Sequence, residues 1–207
     1  MRRFMIGIAI LLLSSGLFAE ETITFKGGYT KMSMKDGDRE ITLSGGATVD
    51  SGTMRLTADA ITLSGEDYST LSCSGGVTVI DADKGITVKS PKIEYDRIKE
   101  TIAIESWVEV EDTTNEISAS GGSLNYDIDK GTMEMEGHVR LMRAASKGIM
   151  ACSSDIMAYD REKKTLRLTG NAVINWQGDT YQAHAINVDL DSEAITMEGA
   201  IQGTVHG

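Results

Sequence analysis

The sequence is poor in the residues that mark several common protein classes. Of its 207 residues, one is proline, at Pro91, two are cysteine and 5% are aromatic. Two cysteines are too few for the disulfide framework of a small secreted domain. Basic residues are also scarce, since 20 Lys and Arg stand against 31 Asp and Glu and the net charge is -11. Nucleic-acid binding is driven by basic groups that release counterions from phosphates, so this balance argues against a nucleic-acid partner.

The signatures of catalysis and metal binding are missing as well. His138, His184 and His206 lie far apart in the chain and lack the spacing of zinc ligands. The segments Asp81-Ala-Asp83 and Asp127-Ile-Asp129 contain only part of a calcium-binding loop, and we predict ordinary turns there. No Gly-x-Ser-x-Gly, His-Glu-x-x-His or phosphate-binding loop occurs. We therefore expect no enzyme activity, no catalytic residue, no metal site and no cofactor.

The N-terminus has the three parts of a secretory signal peptide. A basic pair, Arg2-Arg3, precedes an apolar run that starts at Phe4, and Ala19 comes just before two glutamates. We predict a signal peptide over residues 1–19, a single domain over residues 20–207 and a location in the periplasm. Leu17 stands three residues before the predicted cleavage point, where a small residue is preferred. An uncleaved membrane anchor therefore remains the alternative.

Internal repeats decide the predicted fold. The segment Ile41-Thr-Leu-Ser-Gly-Gly-Ala-Thr-Val49 recurs with starts 29 to 33 residues apart. In each copy apolar residues alternate with polar ones, which is the period of a half-buried strand. Five of the six copies have glycine at the fifth place, where it favours a bulge or a tight bend. The six copies are residues 41–49, 71–79, 102–110, 133–141, 166–174 and 195–203.

Each repeat has a second arm whose end reads apolar-x-Tyr-Asp in its most regular copies, as in Ile93-Glu-Tyr95-Asp96. A second apolar pair lies upstream in the same arm, such as Ile86 and Val88, and the two pairs are five positions apart, which is an odd separation. A regular strand would place the pairs on opposite faces, so the arm must bulge or turn a corner between them. We predict an all-β, open-ended β-jellyroll of stacked two-strand repeats, each about 31 residues long.

These repeats, the Tyr-Asp arms and the signal peptide together resemble the OstA-like family of lipopolysaccharide-transport proteins. The similarity covers residues 41–203 and extends more weakly to Ile23, and the size and layout are closest to the periplasmic bridge proteins of the LptA type. The resemblance implies a twisted β-jellyroll that carries the acyl chains of lipopolysaccharide, or of a related glycolipid, from the inner to the outer membrane. It also implies inner-membrane LptC-like and outer-membrane LptD-like OstA domains as partners, and head-to-tail association through terminal strand edges.

The inward positions of the repeats are the candidate lipid-binding residues. An interior of this kind needs apolar side chains and no fixed polar site. Arg140, Arg143 and Lys147 form a local basic cluster, which we consider as a rim for the anionic head group. The candidate interior residues are Leu43, Val77, Val79, Ile93, Tyr95, Ile104, Val108, Leu124, Tyr126, Met135, Val139, Met157, Tyr159, Leu168 and Ile186.

Two readings other than a periplasmic bridge stay open at this point. One is a membrane-anchored LptC-like subunit that keeps its N-terminal segment. The other is a structural β-solenoid or adhesin with a filled core and no ligand.

Cys73 and Cys152 occupy inward positions about two and a half repeats apart, and we predict two buried free thiols there.

Overall fold

The computed structural model describes residues 23–35 and 38–206, so the predicted signal peptide lies outside the described residues. These described residues form sixteen β-strands in antiparallel pairing, together with a short 3-10 turn at Glu66–Tyr68. The strands are β1 (Ile23–Lys26), β2 (Tyr29–Lys35), β3 (Asp38–Ser51), β4 (Met54–Ser64), β5 (Thr70–Asp81), β6 (Ile86–Asp96), β7 (Thr101–Ile104), β8 (Val108–Asp112), β9 (Ile117–Gly121), β10 (Ser123–Asp127), β11 (Thr132–Ala145), β12 (Gly148–Asp160), β13 (Thr165–Trp176), β14 (Asp179–Asp189), β15 (Ile195–Glu198) and β16 (Gln202–Thr204).

Alternating hydrophobicity is what makes these segments strands. In β5, Leu71 and Cys73 are buried while Ser72 and Ser74 are exposed. Successive side chains of a strand point to opposite faces, so one face becomes continuously apolar and the other polar. Full burial of each large apolar side chain stabilises the fold by about 1.5–3 kcal/mol, which makes the apolar face the main source of stability.

The long strands bend near their middles, where the strand pairing shifts register. Between β3 and β4 the shift falls between Ser44 and Ala47, at the glycines of the first repeat. Gly45 has a backbone φ of 76°, a conformation that costs residues with a Cβ and suits glycine. Equivalent shifts occur in β5, β11 and β13, so the bends line up from strand to strand. The bulges predicted from the repeat glycines and from the odd spacing in the second arm are confirmed.

The third repeat turns this corner without a glycine. Its first arm is interrupted between β7 and β8 at residues 105–107, where no strand forms and Ser106 replaces the glycine of the other copies. The hydroxyl of Ser90 on β6 lies 2.9 Å from the Ser106 hydroxyl and donates to the Trp107 carbonyl at 2.9 Å. These bonds from the neighbouring strand fix the corner that a bulge makes elsewhere.

The aligned bends divide the strands into two facing layers, which we call sheet I and sheet II. Sheet I contains, in order, β2, the first half of β3, the second half of β4, the first half of β5, the second half of β6, β7, β10, the first half of β11, the second half of β12, the first half of β13, the second half of β14, and β15. Sheet II contains, in order, β1, the second half of β3, the first half of β4, the second half of β5, the first half of β6, β8, β9, the second half of β11, the first half of β12, the second half of β13, the first half of β14, and β16.

The inward faces of the two sheets form a single buried cluster that runs the length of the stack. The all-β jellyroll of stacked two-strand repeats is therefore confirmed. At each end of the stack the terminal strands have a neighbour on one side only among the described residues. These are β1 and β2, which pair with β3, and β15 and β16, which pair with β14.

Candidate functional site: the interior and its seam

The fifteen candidate interior residues all point between the two sheets. Their exposed fractions run from 0% at Leu43 to 6% at Tyr95. The upstream apolar positions of the second arms, such as Ile86 and Val88, face the same space. The structure thus brings the predicted set together, and the side chains shield one another from water.

The side of the molecule opposite the bends is closed by two rows of turns, and we call this side the seam. The turns of sheet I connect β4 to β5, β6 to β7, β10 to β11, β12 to β13 and β14 to β15. The turns of sheet II connect β3 to β4, β5 to β6, β8 to β9, β11 to β12 and β13 to β14. Whereas the bends join the sheets through the covalent chain, side-chain contacts join them at the seam.

The aspartates of the Tyr-Asp arms organise the turns of sheet I. The Oδ1 atom of Asp127 accepts the N–H of Lys130 at 3.0 Å, and its Oδ2 atom pairs with the Nζ of Lys130 at 2.6 Å. Asp96 with Lys99 and Asp160 with Lys163 repeat this arrangement. An aspartate that accepts a backbone N–H in this way stabilises a tight turn, as expected from the sequence at Asp127.

A buried ion pair holds the middle of the seam. The guanidinium of Arg161, from a sheet I turn, donates from Nε to Asp112 Oδ2 at 2.6 Å, across to sheet II. It also donates to the carbonyl of Lys84 at 2.7 Å, and the hydroxyl of Tyr159 donates to Asp112 at 3.0 Å. The Asp112 side chain is 0% exposed and that of Arg161 8%. The Nζ of Lys84 donates in turn to the carbonyl of Ile128.

Further contacts close the seam on either side of this pair. Toward the N-terminal end, Arg97 donates from Nε to the Ser51 hydroxyl at 3.2 Å. Toward the C-terminal end, Arg143 donates from Nη2 to the Leu190 carbonyl at 2.6 Å. The carboxylate of Glu193 accepts the N–H and the hydroxyl of Ser146 at 2.8 and 2.6 Å. Polar contacts therefore tie the two sheets together at several points along the seam.

The environment of the seam changes the acidity of its groups. Burial raises the pKa of Asp112, but hydrogen bonds from Arg161 and Asn115 outweigh burial and leave the pKa below its usual value. Burial raises the pKa of Tyr126 to about 12 and also raises the pKa of Tyr159. At neutral pH the seam thus contains an ionised carboxylate, a charged guanidinium and two neutral phenols.

The three basic residues considered as a head-group rim do not all lie on one face of the molecule. Arg140 and Arg143 are three residues apart in β11, and an odd separation in a strand gives opposite faces. Arg140 is exposed on the outer face, whereas the Arg143 side chain lies at the seam and is 15% exposed. Lys147 is exposed in the turn between β11 and β12. Of the three residues, only Arg143 reaches the space between the sheets.

The two cysteines are free and buried, as predicted from their inward positions. Cys73 lies in sheet I and Cys152 in sheet II. Burial raises the pKa of each thiol to about 12, so both are protonated at neutral pH and unreactive as nucleophiles.

Two grooves lie on the outer faces rather than in the interior. One, of about 910 Å³, includes the outward-facing Ala103, Asn125, Ala158 and Arg167 of sheet I. The other, of about 620 Å³, lies on sheet II and includes outward-facing residues such as Arg140.

Within residues 23–35 and 38–206, no group of three or more His, Cys, Asp or Glu side chains is arranged to hold a metal ion. No helix in the same part of the chain has the length and hydropathy needed to cross a bilayer.

A comparison with family models now identifies the relatives of this fold. The model described as "LptA/(LptD N-terminal domain) LPS transport protein" matches residues 30–194, which is most of the chain. The chain belongs to this family. The LPS-transport family is one of lipid-transport proteins rather than enzymes.

The chain was also compared with individual proteins. No curated protein matches the chain. Among solved structures, the chain is similar to LptH from Pseudomonas aeruginosa, described as the LptA homologous periplasmic component of the conserved lipopolysaccharide transport device. The identity is 12%, the match covers 91% of this chain and 97% of LptH, and the TM-score is 0.30. The function below is argued from family membership and from the geometry of this chain.

The seam of this LPS-transport family member was not visible in the sequence. Arg161 and Asp112 are 49 positions apart, and Arg143 and Leu190 are 47 apart. The repeat pattern predicts which residues face inward, but it does not predict which turns of the two sheets meet. The available signal was local: Arg97 and Arg161 both directly follow the aspartate of a Tyr-Asp arm.

Proposed function

We propose that this chain is a periplasmic lipid-binding transport protein that carries lipopolysaccharide or a related glycolipid from the inner to the outer membrane. Membership of the LPS-transport family over residues 30–194 is the observation that carries the proposal. The apolar interior between the sheets supports it, because an acyl chain gains about 0.8 kcal/mol for each methylene that it buries. The fifteen interior residues named above are the proposed lining for the acyl chains.

Loading of the interior requires the two sheets to separate. The interior side chains already contact one another, so an acyl chain has to replace contacts between the sheets. Separation is easier at the seam than at the bends, because the bends are continuous chain and the seam is closed by side-chain contacts. In this proposal the seam opens, the acyl chains enter between the sheets and the polar head group remains outside.

The terminal strands support head-to-tail association. Within residues 23–35 and 38–206, each sheet ends in strands with one unpaired edge, and such edges readily accept another strand. Each sheet also contains an even number of strand positions that alternate in direction. A second copy placed with β2 beside β15 and β1 beside β16 therefore continues the antiparallel alternation in both sheets.

We propose that the same edges dock partner domains of the same architecture. An inner-membrane LptC-like OstA domain would join one end of the stack, and an outer-membrane LptD-like OstA domain the other. Such docking would join the interiors of successive domains into one apolar path across the periplasm.

The test is mass spectrometry of the lipids that copurify with the protein from its own cell envelope, without detergent. Lipopolysaccharide or another glycolipid in stoichiometric amount would support the proposal and identify the cargo. Protein that carries no lipid and takes up none when lipid is added would overturn it.

A structural β-solenoid with a filled core is the second candidate, and the shielding of the interior from water favours it. The same experiment distinguishes the two, because a filled core takes up neither lipid nor a hydrophobic dye. The membrane-anchored LptC-like alternative depends on residues 1–19, and N-terminal sequencing of the protein from the envelope would test it.

A further inference from the structure

The third repeat lies in the middle of the stack, and its strands pass the corner differently from those of the other repeats. Between β3 and β14, each arm outside this repeat is one continuous strand. Both arms of the third repeat are split at the corner, the first at residues 105–107 and the second at Gly122. Five of the six first arms in the described residues have two consecutive residues of positive φ there, whereas residues 105–107 have none.

The backbone ladder beside this corner is interrupted as well. On the side of β6 that faces the third repeat, residues 90–93 lie outside the paired register, whereas on the side that faces β5 only Pro91 does. The hydroxyl of Ser90 spans this gap with its contacts at 2.9 Å to the Ser106 hydroxyl and the Trp107 carbonyl. Side-chain bonds thus take the place of backbone bonds, and segments with few backbone bonds open at a lower free energy.

The opposite end of the β8–β9 hairpin, residues 108–121, is fastened at the seam. Asp112 ends β8, and its buried carboxylate binds Arg161 at 2.6 Å and Tyr159 at 3.0 Å. In the turn that follows, the N–H of Thr113 donates to the Gly85 carbonyl at 3.0 Å. The hairpin therefore has a split corner at one end and a buried ion pair at the other.

The sides of this hairpin lie between two other strands of sheet II. β8 pairs with residues 86–89 of β6, and β9 pairs with residues 140–143 of β11. The inward side chains of the hairpin are apolar and buried over the middle of the interior, and they are Val108, Val110, Ile117 and Ala119. Movement of the hairpin out of the sheet would uncover the interior far from either end of the stack.

We propose that the β8–β9 hairpin is a flap that swings out of sheet II as a unit, about its corner, when the Asp112–Arg161 ion pair opens. The ion pair keeps the flap closed, and the split corner lets the flap move without bending a continuous strand. The motion is a property of the protein alone. Its use as an entrance for acyl chains rests on the proposed function, because it requires acyl chains in the interior.

Amide hydrogen exchange of the mature wild-type protein, resolved by residue with NMR, tests the motion. We expect the amides that bond the flap to β6 or β11 to exchange about 10-fold faster than the amides that bond β11 to β12 in sheet II, where both strands continue through the corner. Amides that bond β8 to β9 should exchange more slowly than those at the edges of the flap, because the hairpin moves intact. Equal rates in the two hairpins, or equal rates throughout the flap, would overturn the proposal.

A pair of serine variants tests the role of the corner. Ser90→Ala removes the bonds to Ser106 and Trp107 and should speed exchange at the flap edges by about 5- to 30-fold, the usual value of one hydrogen bond. Ser154→Ala is the matched control, because Ser154 is buried at the corner of β12 and its hydroxyl bonds the Ile156 carbonyl of its own strand. The control should leave exchange in the flap unchanged, and an equal effect of both variants would contradict the proposed corner.

Dye uptake separates the flap from the proposed function. The rate at which the apolar dye N-phenylnaphthylamine gains fluorescence in the protein should rise in Ser90→Ala, with the affinity unchanged, because a gate alters entry and exit equally. Selective exchange in the flap without dye uptake by the wild type would overturn the conduit and leave the flap in place. Uptake at the same rate in Ser90→Ala and the wild type would overturn the role of the flap as an entrance.

Discussion

The carboxylate of Asp112 illustrates how single residues hold the seam closed. Its charge is fully buried, and Arg161, Asn115 and Tyr159 supply it with hydrogen bonds. Removal of one partner from such a pair leaves an uncompensated buried charge, whose cost exceeds the net value of the intact pair.

We expect Asp112→Ala to lower the free energy of unfolding by about 3–5 kcal/mol, because Arg161 loses its buried counter-ion. Urea unfolding of the two proteins measures the difference. Asp50→Ala is the control, since Asp50 also pairs with an arginine, Arg55, at 2.6 Å, but on the surface. Surface pairs contribute little, so the control should unfold like the wild type. Equal losses in both variants would contradict this account of the seam.

The same ion pair makes the stability of the fold depend on pH in the acidic range. The pKa of Asp112 is lowered in the folded protein, so its stabilisation is present above the pKa of the unfolded chain, about 3.9. The stabilisation is lost as the pH falls below that value toward the folded pKa. Unfolding measured from pH 6 to pH 2 should therefore show a weaker pH dependence in Asp112→Asn than in the wild type. Parallel curves would show that the carboxylate contributes nothing to acid sensitivity.

At the level of single residues, sequence periodicity predicted burial well and polar contacts poorly. All fifteen interior candidates are buried because alternation directly encodes the face on which a strand residue lies. Of the three residues considered as a head-group rim, Arg140, Arg143 and Lys147, the two arginines lie on opposite faces of β11, as the same rule of alternation requires. Seam partners such as Arg161 and Asp112 could not be predicted, because their meeting depends on how the two sheets are offset.

Among the structural elements, the bent strands determine the architecture. Gly170 in β13 has a φ of 73°, and a Cβ there would lie 2.5 Å from Asp155 Oδ2 on β12. The bend therefore depends both on the left-handed backbone and on the close approach of the neighbouring strand. The repeat glycines made these corners predictable, whereas the Ser106 corner depends on bonds from Ser90 that the repeat pattern does not contain.

We expect Gly170→Ala to destabilise the protein by about 1–3 kcal/mol, from backbone strain and the contact with Asp155. Thermal unfolding is the measurement. Gly203→Ala is the matched control, because Gly203 lies in β16 and a Cβ there would meet the nearest atom at an ordinary 3.6 Å. The control should stay within about 0.5 kcal/mol of the wild type. A Gly170→Ala protein as stable as the control would show that the bulge tolerates a side chain.

For the whole molecule, the exposed ends of the stack matter most. Ile201 and Val205 are 56% and 70% exposed beside the C-terminal edge. Exposed apolar residues at a free edge favour association, and charged residues there oppose it.

The double change Ile201→Lys and Val205→Lys should reduce the proposed head-to-tail association and leave the Tm of the monomer unchanged, because both side chains are exposed. Light scattering over a range of protein concentrations measures the effect. Ile98→Lys is the control, since Ile98 is 73% exposed in a turn away from both ends. Association that persists in the double variant would indicate that the C-terminal edge is not the contact.

The two-strand period of the repeat has a consequence for how such a protein can change its length. A repeat adds one strand of each direction to the stack, so the edge that it presents is equivalent to the edge that it covers. Duplication of one repeat of about 31 residues within a gene would lengthen the stack by about 10 Å, two strand spacings, and preserve both ends. A stack of this kind can therefore become longer while the strands at its two ends stay the same.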